Sequence, residues 1–120
     1  MEHPSKELAK RILSEVDFDN RFIGSKLRER SGPVKITCYS YKELLDLMQD
    51  RLPGVNLQYL EKWLRDAMGD EELADLINSI TKTEDSYIKQ IGQVRELMEE
   101  RFQQCRKVAL SRQTAGEEHN

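Results

Sequence analysis

Apolar residues recur three and four positions apart along most of the chain, with polar side chains between them, which is the pattern of helices that bury one face. Leu8, Ile12, Leu13 and Val16 form the first such face, with Lys6, Glu7, Lys10, Arg11 and Glu15 on the polar side. Ser5 stands where its hydroxyl can cap the helix. After a break at Asp17 to Asn20, Phe22, Ile23 and Leu27 suggest a short second helix ending before Ser31-Gly32-Pro33, with Gly24 inside it. Val34 to Tyr39 then alternates apolar and polar residues and is rich in β-branched types, the period of a half-buried strand. As no second segment reads this way, residues 34–39 must pair with a strand the pattern does not reveal, pair with a second subunit, or be an extended connector; the connector is expected first, with a symmetric strand pair across a dimer as the sharper alternative.

Ser40-Tyr41-Lys42-Glu43 has the form of a capping box and opens a third helix, whose face is Leu44, Leu45, Leu47, Met48 and Leu52. Pro53-Gly54 is expected to stop it. Asn56 caps a fourth helix with the broadest apolar stripe of the chain: Leu57, Leu60, Trp63, Leu64, Ala67 and Met68. Gly69 suits the end of that helix, and Asp70 the start of a fifth built on Leu73, Leu76, Ile77 and Ile80. Thr81-Lys82-Thr83-Glu84 repeats the capping-box form ahead of a last helix reaching about Arg112. The expected fold is therefore mainly α: a single-domain helical bundle of five to six helices over residues 1–112, with one short extended or β segment near 34–39 and a long C-terminal helix. Residues 113–120 are polar and unpatterned and are expected to be a disordered tail.

Charge is unevenly distributed. Residues 1–39 hold eight Lys or Arg against six Asp or Glu, and residues 40–80 hold four against nine. The acidic middle weakens a nucleic-acid reading of residues 41–68, where two helices around a Pro-Gly turn loosely resemble a helix-turn-helix with Gln58, Tyr59, Lys62 and Arg65 on its second helix. Lys26, Arg28, Arg30 and Lys35 form a basic cluster, interrupted by Glu29, that is the other candidate for a nucleic-acid or phosphate surface and is read in preference as a solvated helix end.

The two histidines, His3 and His119, stand near the ends of the chain, and Cys38 and Cys105 are far apart in sequence, best read as buried thiols. With no glycine-rich phosphate loop, zinc signature or Cys-His-Asp set, no catalytic, metal or cofactor-binding residue is expected, and the chain is read as non-enzymatic. Mean hydropathy is −0.74. No apolar run approaches the ~18 residues of a membrane span, and the N-terminus lacks an apolar leader, so a cytoplasmic protein is expected.

What remains is a protein-interaction or oligomerisation module, an adaptor or regulatory chain, with a DNA-binding regulator as the alternative and a small-molecule enzyme or cofactor carrier third. The long last helix directs attention to Ile91, Val94, Met98, Phe102, Cys105 and Val108, which advance by three or four and share one stripe. Its expected cover is a second copy of the chain, in a homodimer or larger homo-oligomer, with Arg101 at a seam position selecting the partner.

Overall fold

The computed structural model describes the backbone over residues 1–118 and side chains over residues 1–111. Helix α1 (Lys6–Ile12) is capped by Ser5, whose hydroxyl accepts from the Leu8 N–H at 3.1 Å. A 3₁₀ turn (Phe18–Asn20) follows, with Asp17 accepting from the Asn20 N–H. Strand β1 (Phe22–Arg28) then turns back into β2 (Gly32–Cys38), and helix α2 (Tyr41–Met48) leads to the two-residue strand β3 (Pro53–Gly54). Helix α3 (Leu57–Trp63) continues into one π turn (Leu64–Met68), and α4 (Glu71–Thr83) and α5 (Tyr87–Glu118) complete the order.

This corrects the expected helical bundle. Among the described residues, five α-helices accompany a three-stranded antiparallel sheet of order β2-β1-β3, so the fold is mixed α/β and helix-rich. The segment read as a second helix is β1, and the segment read as a connector is its partner. They pair in full register from Phe22↔Cys38 to Arg28↔Gly32, so each supplies the ladder that the other lacks in isolation. Their three-residue connection closes on Gly32 at φ 69°, the left-handed region such a hairpin requires.

Gly24 marks a close approach rather than a weak helix. A Cβ there would stand 2.6 Å from Leu47 Cδ2 and 3.0 Å from the Gly54 carbonyl oxygen, so its absence lets α2 and β3 close onto the sheet. Pro53-Gly54 likewise is not the stop of α2. That helix ends at Met48, and the pair joins the sheet edge, opposite Ser25 and Lys26.

The core lies between the inner sheet face and the helices. Phe22 is fully buried, stacked on Tyr59 at 4.7 Å between ring centroids and meeting Trp63 edge-on. Trp63 donates its indole N–H to the Asn20 carbonyl at 2.6 Å, which locks α3 to the entry of β1. Met48, Met68 and Met98 are also fully buried core residues.

Helix α5 is the backbone of the assembly. Tyr41 donates to the Met98 carbonyl at 2.7 Å, the Tyr87 hydroxyl accepts from the Val55 N–H, and Arg95 donates to the Met48 carbonyl at the end of α2. The capping box at Thr81–Glu84 does not start this helix. Helix α4 runs through it to Thr83, and the first α5 bond comes from the Gln90 N–H to the Ser86 carbonyl. Helix α5 runs through residues 113–118 of the segment expected as a disordered tail, and residues 119–120 lie outside the described residues. Among the described residues, no helix is long and apolar enough to cross a membrane.

Candidate functional site

The stripe expected to face a partner lies largely inside the chain. Ile91, Val94, Met98, Phe102 and Cys105 are buried in the protein's own core, and Val108 is half-buried. From Ile91 to Cys105 the stripe thus has internal cover, with α1, α2 and α4 all packing against α5. Arg101 is also internal, 2% exposed, and donates to Asp70 from Nε at 2.9 Å and to Glu72 from Nη2 at 2.8 Å. Its Nη1 donates to the Glu2 carbonyl and the Gln104 side chain. Asp70 holds two positions at once, because its Oδ1 also accepts from the Leu73 N–H as the N-cap of α4. Arg101 therefore ties the start of the chain, the start of α4 and the middle of α5 to one buried point.

The residues of the helix-turn-helix reading are dispersed in role. Gln58 and Lys62 are exposed on α3, but Tyr59 is stacked on Phe22 and donates to the Arg21 carbonyl. Arg65 sits in the π turn and is neutralised by Glu61 at 3.0 Å and Asp75 at 2.6 Å. The link between α2 and α3 contains β3, so these helices are not joined by the tight turn of that motif.

Where the α5 stripe leaves the core, it opens onto a groove. Helix α1 lies across the C-terminal part of α5, and small side chains at Ala9 and Ala109 leave a cleft of about 570 Å³ between them. Leu13, Val108 and Ser14 complete its walls, and Lys6 and Lys10, one turn apart on α1, stand at its rim. Leu13 is 38% exposed, and Leu110, next along α5, is 56% exposed. Neither lysine forms an ion pair among the described residues.

A second, larger groove of about 780 Å³ runs between α2 and α5, but it is polar and carries both charge signs. Lys42 there is already paired with Asp46, and Arg95 is committed to the Met48 carbonyl.

Nucleophilic chemistry has little support in the two thiols. Cys38 and Cys105 are free and fully buried, and burial pushes both up to about 11. Glu43 and Asp46 add to the shift at Cys38; at Cys105 the Arg101 guanidinium opposes it. Among the described residues no group of three His, Cys, Asp or Glu side chains is placed to hold a metal ion.

Neither the free lysines at 6 and 10 nor the part of Val108 beyond the core was separable by sequence from ordinary helix faces. Comparison with known protein families, curated proteins and solved structures finds no match to this chain.

Proposed function

We propose that this chain is a protein-binding module whose working surface is the α1–α5 groove, and that its occupant is an amphipathic helix with an acidic flank supplied by another protein. The observation that carries this reading is an open apolar cleft between two helices, rimmed by two lysines that no carboxylate of the described residues neutralises. A groove between two helices is complementary to the apolar stripe of a third, read as anchors at i, i+3, i+4 and i+7. Lys6 and Lys10 are spaced to meet carboxylates one turn apart on that helix. A second copy of the chain fits less well, since a two-fold contact through this face turns the same patch onto itself and sets lysines near lysines.

The test uses a synthetic helix of about four turns with leucines on one stripe. One version carries glutamates beside the stripe, and the other carries lysines. Fluorescence anisotropy should give micromolar binding of the glutamate version alone, weakening as salt rises. Leu13→Asp, a change at an exposed position, should reduce that binding at least tenfold while circular dichroism stays native. Equal binding of the two peptides, or indifference to Leu13→Asp, overturns the reading. Self-association that Leu13→Asp abolishes would assign the groove to a second copy instead.

A further inference from the structure

The β1–β2 ribbon carries a second surface, on the opposite basis of charge rather than apolar contact. Its root is buried at Phe22, Gly24 and Cys38, but residues 27–31 and 33–35 are exposed. Strand β3 pairs only with Ser25 and Lys26, so beyond Lys26 the ribbon is two strands wide with no third strand beside it. Residues 26–35 hold Lys26, Arg28, Arg30 and Lys35 against Glu29 alone, whereas the rest of the chain has 15 basic and 21 acidic side chains. None of the four cations forms an ion pair among the described residues.

Protection of a sheet edge accounts for part of this. Pro33 and Lys35 lie on β2, the outer strand, and Pro and Lys are the residues that keep an edge from pairing with another chain. They also argue against an added strand as the occupant. Lys26 needs a different explanation, because β1 is flanked there by both β2 and β3. In the antiparallel register Lys26 opposes Val34 and Arg28 opposes Gly32, so both cations share one face, and Arg30 stands in the turn beyond them.

We propose that the ribbon binds duplex DNA, its tip entering the major groove with Lys26, Arg28 and Arg30 against backbone phosphates. Past Lys26 the free tip extends two residues per strand, or ~7 Å, before the three-residue turn, and its two strands lie ~4.8 Å apart. The major groove of B-form DNA is ~12 Å wide and ~8.5 Å deep and admits a two-stranded ribbon. The A-form groove of duplex RNA is too narrow for it. Lys26 and Arg28 continue the strand face that begins at Phe22 and Gly24, past the point where that face is buried, and the rest of the chain is net negative, so the ribbon is where basic charge is concentrated. This inference is independent of the α1–α5 groove.

Anisotropy of a labelled mixed-sequence DNA duplex of about 20 base pairs, titrated with the full chain at ~50 mM salt, tests it. Binding is expected, with the logarithm of affinity falling against the logarithm of salt at a slope of about −3, for three cations displacing counterions. Arg28→Glu with Arg30→Glu, both at exposed positions, should weaken binding at least tenfold with circular dichroism unchanged, whereas Lys62→Glu on α3 should leave it intact. No binding at low salt overturns the proposal. So does loss with Lys62→Glu in place of the ribbon variant, equal or tighter binding of duplex RNA, or equally effective competition by polyglutamate, which would make the partner an acidic protein.

Discussion

Replacing Arg101 with methionine isolates the buried point on which three parts of the chain converge. The substitution keeps a long apolar stem but removes donors to Asp70, Glu72, the Glu2 carbonyl and Gln104. Asp70, 1% exposed, is left charged without its cation. Breaking such a buried pair from one side costs about 3–5 kcal/mol, because the remaining charge cannot recover its hydration. At roughly 3–6 °C per kcal/mol for a chain of this size, the melting temperature should fall on the order of 10–30 °C. Asp70→Asn keeps an oxygen for the Leu73 N–H, so adding it to Arg101→Met removes the stranded charge while retaining the cap. The double variant should be more stable than the sum of the two single losses by roughly 0.5–3 kcal/mol. Urea unfolding followed by circular dichroism measures all four members of the cycle. A loss below about 1 kcal/mol for Arg101→Met, the range of a solvated surface pair, would refute the reasoning. The partner-selecting role expected for Arg101 would return only if that variant changed association and left stability intact.

Three further outcomes follow from the same geometry. With both thiols pushed up to about 11, the thiolate fraction at pH 8 is on the order of one in a thousand, so a disulfide reagent should label neither Cys38 nor Cys105 until denaturant is added; rapid native labelling would contradict their burial. The Glu2 backbone N–H, followed by Arg101, holds the Glu72 carboxyl below its ordinary value of 4.5, so its stabilisation is complete above that pH and disappears as pH falls through the lower folded value. Thermal melts of the protein and of Glu72→Gln should therefore converge on acidification, and a gap that widened would reverse the sign. Gly24→Ala should cost about 1–3 kcal/mol by driving a methyl into Leu47 and Gly54, while Gly92→Ala, with nothing within 4 Å, should stabilise by about 0.5–1 kcal/mol; chemical denaturation compares the two.

Local chemistry in the sequence located the features that depend on a few neighbouring residues. Ser5, Ser40, Asn56 and Asp70 cap the helices that their positions suggested, each accepting an N–H three residues on. The box at Ser40 closes with a shift of one residue, since Glu43 accepts from the Tyr39 N–H rather than from that of Ser40. The sheet was illegible for the opposite reason. Ile23 and Leu27 are four apart and imitate a helix, whereas the strand character of β1 comes from its pairing with β2 and β3. Gly24 registered as a flaw in a helix because the groups it accommodates, at Leu47 and Gly54, are distant in sequence.

The α5 stripe was correctly seen as apolar, but whether a partner or the chain itself covers it depends on where α1, α2 and α4 return. The groove has the same origin. Its walls come from residues 6–14 and 108–109, and no local pattern joins them.

Charge inversion at the groove rim tests the central claim most directly. Lys6→Glu with Lys10→Glu changes two exposed side chains and leaves the apolar floor of Ala9, Leu13, Val108 and Ala109 untouched. Titrated with the two synthetic helices, this variant should exchange its preference, losing the glutamate-flanked peptide and gaining the lysine-flanked one. Retained preference for the glutamate-flanked peptide, or loss of both with a native circular dichroism spectrum, would contradict a groove that selects its helix by charge.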